Sequence, residues 1–303
     1  MTGPRSTPEL VVANLGLLAA SFFWGSFYAL TEHVLATWDP FTVTTVRLVV
    51  GALAILLFLG AREGWTAFHV GVPWRRVWIL GGIGLGVYMF FLTFGVLYAG
   101  AIPSAIVYAT TPIVAAFMAR AIFGERIAPR LVAAALVAVA GGAVMVVGTG
   151  WSVGAFQGGE VLIGVSVVLF TWYSLLAQRW LAGLSQLRLT ALTIGAAGTV
   201  GLVIYLGLLA VGHFVPKVDL SLSSLLYMAY LSVAPLSLAV AFWNYGVSRV
   251  GVTIAAIYYN LGPVFAVLVA MWLGGVPTAQ ELVGGAIVMA AVALAQFRLP
   301  RRA

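Results

Sequence analysis

Aromatic side chains with polar tips recur inside long apolar runs of this 303-residue sequence: Trp24 and Tyr28, Tyr88, Tyr108, Trp172 and Tyr173, Trp243 with Asn244, and Tyr258, Tyr259 and Asn260. A buried indole or phenol needs a hydrogen-bond partner, so such a set fits a polar-aromatic cavity better than packing against lipid. Any one of them alone is more often core than ligand. The other tryptophans, Trp38, Trp65, Trp74, Trp78, Trp151 and Trp180, fall near run ends, where interfacial belts place them. Charge is nearly absent from the same runs. No Asp or Glu lies deep in any of them, and Arg47 is the sole basic residue away from the run ends, where Arg120, Arg130 and Arg179 stand. A guanidinium there can meet a carboxylate through two hydrogen bonds, although snorkelling outward or bracing a neighbouring helix is its commoner use. The chemistry offered is binding, of a neutral or zwitterionic solute with an apolar or aromatic side chain.

Pro112 and Pro263 lie about twelve residues into their runs, roughly 17 Å at 1.5 Å per residue, near the middle of a bilayer. Each removes the hydrogen bond to the carbonyl four residues earlier, those of Tyr108 and Tyr259. Two half-free carbonyls at that depth would suit an ammonium group; the alternative is a packing kink whose vacancy Thr110, Thr111 or a water fills. Gly84 and Pro235 mark weak points in two further runs. All four residues are candidate hinges, while the glycines at 81, 82, 84 and 86 serve close helix packing equally well.

The elements that must position these residues are helices in lipid. Hydrophobic residues make up 63% of the chain and charged residues 8%, far from the balance of a soluble domain. Apolar runs fall at 10–30, 40–60, 77–98, 101–123, 129–149, 159–181, 190–212, 223–246, 250–273 and 278–297. The expected fold is an all-α integral membrane protein of ten transmembrane helices, since the alternating period of a barrel is absent. Thirteen of the fifteen Lys and Arg residues lie in the two tails and the even-numbered connections, so the positive-inside rule puts both termini in the cytoplasm. The net charge of +7 is therefore read as a topology signal, not as a nucleic-acid footprint.

Shifting the chain by 151 residues aligns residues 91–137 with 242–288 without a gap. Gly95 then meets Gly246, Gly100 Gly251, Tyr108 Tyr259, Pro112 Pro263 and Gly84 Pro235. Five runs per half is an odd number, so the second half enters the membrane inverted. The expected organisation is a tail at 1–9, a first five-helix repeat at 10–150, a second, inverted one at 151–298 and a tail at 299–303. Inverted repeats favour alternating-access transport.

The sequence resembles the drug/metabolite transporter superfamily, in particular its ten-helix EamA-type members. The resemblance is carried by FFWGSFY at 22–28, PFTVTTVR at 40–47, GVLYAGAIPSAIVYATTPIVAAF at 95–117 with GER at 124–126, and AAIYYNLGPVFAVL at 255–268. Within the superfamily it is most similar to the YddG type of aromatic amino acid exporter. The resemblance implies a multi-pass carrier of the bacterial inner membrane. Two departures stand out: Gly275-Val276 replaces Gly124-Glu125 in the second half, and Gly195 stands where a 148-residue offset puts the partner of Arg47. Small multidrug exporters of the superfamily carry a Glu in the first helix; its lack here argues against cationic drugs and against a carboxylate proton relay.

The expected function is export of small neutral or zwitterionic metabolites, aromatic and other large neutral amino acids foremost. The expected partners are the solute and the bilayer, with no nucleic acid, and a monomer suffices. Phosphorylated or nucleotide-linked cargo would need more membrane cations than Arg47, and a passive channel is the alternative from another class. His33, His69 and His213 are scattered through loops and there is no Cys, so the sequence points to no enzyme, metal or cofactor.

Overall fold

A computed structural model describes residues 7–124, 129–147, 158–251 and 255–296. The described residues form helices and short connections. Asp39 caps α2 (Pro40–Glu63) by accepting from the Thr42 amide at 2.9 Å, after α1 (Thr7–Leu35) has ended. A 3₁₀ turn at Trp65–Phe68 leads to α3 (Trp74–Gly81), a π-helical turn at Gly82–Val87 and α4 (Tyr88–Ala99), which run on as one long helix. Then come α5 (Ala101–Tyr108), α6 (Thr111–Phe123) and α7 (Pro129–Val147). The second half contains α8 (Gly159–Trp180) and α9 (Gln186–Ala210), followed by α10 (Leu222–Ser232), a π-helical turn at Val233–Leu238 and α11 (Ala239–Val250). A 3₁₀ segment at Ala256–Leu261, α12 (Gly262–Trp272) and α13 (Ala279–Gln296) complete it.

Among the described residues six helices are long and apolar enough to cross a membrane; α5 and α6, bent by 41°, count as a seventh if taken as one span. The bend is where Pro112 stands, in the first turn of α6. The 151-residue shift relates more than residue types. It carries the first π-turn, Gly82–Val87, onto the second, Val233–Leu238. It also carries Pro112 onto Pro263, each in the first turn of its helix.

Gly100 and Gly251, the same distance apart, have φ of 83° and 82° with ψ of 171° and 158°. That region of backbone space is open almost only to glycine, at about 1–3 kcal/mol for any other residue. Gly100→Ala and Gly251→Ala are each expected to lower the thermal midpoint of the detergent-purified protein by a few degrees. Midpoints equal to the parent's would mean that these corners are not held as described.

The most extensive helix pairings join one half to the other: α7 with α13, α2 with α9, α1 with α11 and with α12, and α4 with α8. Neither half encloses a core of its own. The main core runs through α1, α2, α4, α8, α9 and α11, while α7 and α13 pack aside on a smaller cluster that includes Ile106, Ile113, Ala134 and Val288. Gly84 is used for close approach: a Cβ there would stand 2.8 Å from Cβ of Tyr173.

Candidate functional site

The centre of the molecule is a cluster of rings contributed by both halves. Trp24 of α1 stacks on Tyr259, ring centroids 5.1 Å apart and planes within 6°. It meets Trp243 at 5.6 Å and Phe170 edge-on at 5.7 Å. Tyr108, at the end of α5, lies 5.7 Å from Tyr259 and 6.1 Å from Tyr28, and its hydroxyl is 3.3 Å from that of Tyr88. Trp24, Tyr28, Tyr88, Tyr108, Trp243 and Tyr259 thus converge, all buried except Trp24, which is partly so. Phe170, an all-carbon ring without a polar tip, carries no such mark in the sequence beyond its place one turn before Tyr173 on α8.

Behind the rings lies a polar layer. The Asn244 amide donates to the Tyr173 hydroxyl at 3.0 Å and to Thr190 Oγ1 at 2.9 Å; Tyr173 is 3.2 Å from Thr193 Oγ1, and the Trp243 indole donates to Ser174 at 3.2 Å. Asn244 and Tyr173 therefore hold the ring cluster from outside it. Trp172 points elsewhere, edge-on to Trp180 at 6.2 Å, and the Tyr258 hydroxyl donates to Asn14 Oδ1 at 2.7 Å. The side chain of Asn260 lies outside the described residues.

The two proline-freed carbonyls are not open acceptors. The Thr111 hydroxyl donates to the Tyr108 carbonyl, and the Gly262 amide closes a 3₁₀ bond onto that of Tyr259. Local refilling is the cheaper outcome, because a side chain or amide one turn away needs no ligand. The carbonyl that a proline does make available to another helix belongs to Leu231, four residues before Pro235. Arg47 Nε donates to it at 3.3 Å, across from α2. Arg47 is 1% exposed and does not snorkel; its guanidinium lies 4.3 Å over the Phe27 ring, and its Nη1 has no hydrogen-bond partner among the described residues. The Trp24 indole donates to the Pro235 carbonyl at 3.0 Å, and the Ser237 hydroxyl to that of Gly51 at 2.8 Å. Helices of the first half thus fasten to the second at three points, two in its π-turn and one at Leu231, just before it.

Two small cavities flank Trp24. One is lined by Ser21, Tyr28, Ala105, Tyr108 and Tyr259, whose hydroxyl has no partner; the other by Phe27, Arg47, Tyr88, Met89 and Leu92. Each has room for about one water, against about 300–1,000 Å³ in a typical small-molecule site. The core is closed in this conformation, and a solute enters only if the rings part. Both ends of α1 are tied as well. Glu9 pairs with Arg249 of α11 at 3.5 Å. At the far end the Asp39 carboxylate accepts from the Lys217 amide at 2.8 Å, and the Trp38 indole from α1's exit donates to Ser224 at 2.7 Å. Trp38 is therefore a buried strut, whereas Trp65, Trp74 and Trp78 are exposed as interfacial residues are; Trp151 lies outside the described residues.

Among the described residues, apolar helices surround an aromatic core that holds one buried cation, Arg47, and this core is the candidate site. Comparison with known proteins identifies the family. The model of the EamA-like transporter family matches residues 11–147 and again residues 157–297. The chain belongs to this family, and so is a multi-pass membrane transporter of the drug/metabolite transporter superfamily. It is 28% identical over 291 residues to a "Probable terminal-alkyne amino-acid exporter" of Streptantibioticus cattleyicolor, covering 96% of this chain and 95% of that one. It is 23% identical over 297 residues to the uncharacterized transporter YyaM of Bacillus subtilis, covering 94% of each. A solved crystal structure shares the fold with a TM-score of 0.68 at 23% identity, over 93% of this chain and 96% of the other.

Proposed function

We propose that this transporter exports amino acids, aromatic and other large neutral ones first, by alternating access. The observation that carries this reading is the core itself: Trp24, Tyr108, Trp243 and Tyr259 packed ring on ring, with Arg47, among the described residues, the one charged side chain beside them. Such walls suit an apolar side chain and a carboxylate, whereas a hard cation or a multiply charged phosphate would lose more hydration there than the rings and one guanidinium return. The name of the Streptantibioticus relative supports an amino-acid-like cargo.

The cycle we assign uses the repeat. Residues 10–150 and 151–298 form five crossings each, ten in all, in opposite senses, with both termini in the cytoplasm of a bacterial inner membrane and one chain as the working unit. The double match of the family model, the paired π-turns and the predominance of contacts between halves support it. Gly84, Pro112, Pro235 and Pro263 sit in the π-turns or at helix starts, where the backbone yields with least loss of hydrogen bonding.

Counterflow in proteoliposomes tests the assignment. Labelled phenylalanine, tryptophan, methionine and threonine are offered outside vesicles loaded with the unlabelled compound. Saturable accumulation of phenylalanine or tryptophan is the expected result, and none for any of the four overturns it.

A further inference from the structure

We propose that the core recognises the carboxylate of its solute through Arg47 and makes no specific use of the α-amino group, so that apolar and aromatic carboxylates lacking an amine are substrates as well. The proposal rests on the reading of the core as the solute site.

A buried guanidinium is costly unless an anion meets it. Among the described residues Arg47 has no such partner. The ion pair found among the described residues is Glu9 with Arg249. Other acids are engaged elsewhere: Glu32 accepts from the Ala101 amide, and Asp39 from the amides of Thr42 and Lys217. What Arg47 does have is a structural duty that uses one donor, Nε, on the carbonyl that Pro235 leaves open. The Phe27 face lies under the guanidinium at 4.3 Å, which helps to fix its plane. That leaves Nη1 without a partner on a side chain that lines the cavity beside Tyr88 and Trp24. A planar, oriented donor edge with no counter-ion is what a carboxylate binds.

An ammonium group finds no equivalent. Among the described residues no acidic side chain lines either cavity, and the carbonyls of Tyr108 and Tyr259 are already used by Thr111 and Gly262. Ring faces remain, and they serve a cation only weakly beside a guanidinium of the same sign. With the carboxylate at Arg47, the solute's apolar part extends past Trp24 toward Tyr28, Tyr108 and Tyr259.

The test is binding to the detergent-purified full chain by calorimetry with three probes: L-phenylalanine, 3-phenylpropionate and L-phenylalaninamide. The expected result is Kd values for the first two within about threefold of each other, and binding of the amide at least tenfold weaker. Arg47→Gln should abolish the preference for acid over amide. Because that variant also strips the Leu231 carbonyl of its donor, the pair Arg47→Gln/Pro235→Ala is measured beside it: alanine returns a backbone N–H to residue 235. A bracing role alone predicts that the pair regains wild-type preference for the acid. Carboxylate recognition predicts regained thermal stability with the preference still lost.

An amide that binds as tightly as phenylalanine overturns the proposal. So does phenylpropionate that fails to compete where phenylalanine binds, or an acid preference retained in the double variant. These results leave amino acid transport standing. Failure of all three probes to bind, together with absence of counterflow, removes the solute reading and this proposal with it.

Discussion

Trp24→Ala is expected to lower counterflow of phenylalanine at least tenfold and to cost about 3–5 kcal/mol of stability, the usual range for emptying a large aromatic from a core. The indole is stacked on Tyr259, touches Trp243 and Phe170, and is tied to the Pro235 carbonyl at 3.0 Å. Its removal joins the cavities on either side of it and leaves a buried carbonyl without a donor. Trp24→Phe separates the two effects. It retains most ring packing and loses the N–H, which costs about 1–3 kcal/mol where a buried acceptor is orphaned. Its midpoint should therefore fall between those of the parent and the alanine variant. Thermal unfolding in detergent and counterflow read these outcomes, and an alanine variant equal to the parent in both would remove Trp24 from the centre of the site.

The neighbouring residue gives the second large effect. A Cβ at Gly25 would stand 2.7 Å from the carbonyl oxygen of Gly262 and 3.2 Å from the amide of Ala266, as well as against Phe265. Backbone atoms cannot swing aside, so Gly25→Val must push α1 from α12, the pairing that brings Trp24 to Tyr259. Overpacking commonly costs about 1–3 kcal/mol, and more when the clash is with main chain. Loss of counterflow and failure to purify as a single species are expected. Gly164→Ala is the contrast. Nothing lies within 4 Å of a Cβ there, and alanine in a helix is favoured over glycine by up to about 1 kcal/mol. Purified yield and midpoint should equal or exceed the parent's.

What the sequence makes legible follows from which forces act locally. A bilayer sets the length of an apolar run, so the long helices can be read from hydropathy, and prolines break hydrogen bonds at known offsets, so the bend at Pro112 can be placed. The spacing of 151 residues also anticipates the paired glycine corners and the paired π-turns. Orientation around a helix is harder. Adjacent positions point about 100° apart, so Trp172 and Tyr173 look alike as a dipeptide while one meets Trp180 and the other Thr193 and Asn244. Pairing across helices is not readable at all from local rules. The Tyr108 carbonyl was refilled three residues away, whereas the one at Leu231 found its donor on Arg47, 184 residues distant. The candidate site thus draws on two kinds of residue. The phenols and indoles announce themselves by having polar tips in apolar runs, while Phe170 and Phe27 shape the same space without any such mark.

The chain contains no cysteine, so one introduced thiol reports without background. Ala105 lines the cavity between Tyr28, Tyr108 and Tyr259. An active Ala105→Cys variant, treated with a membrane-impermeant thiol reagent from one face of the membrane and then, in separate samples, from the other, asks whether this buried core opens both ways. The account expects modification from either face, slowed by saturating phenylalanine in both cases. Modification from a single face under conditions that support counterflow would contradict it.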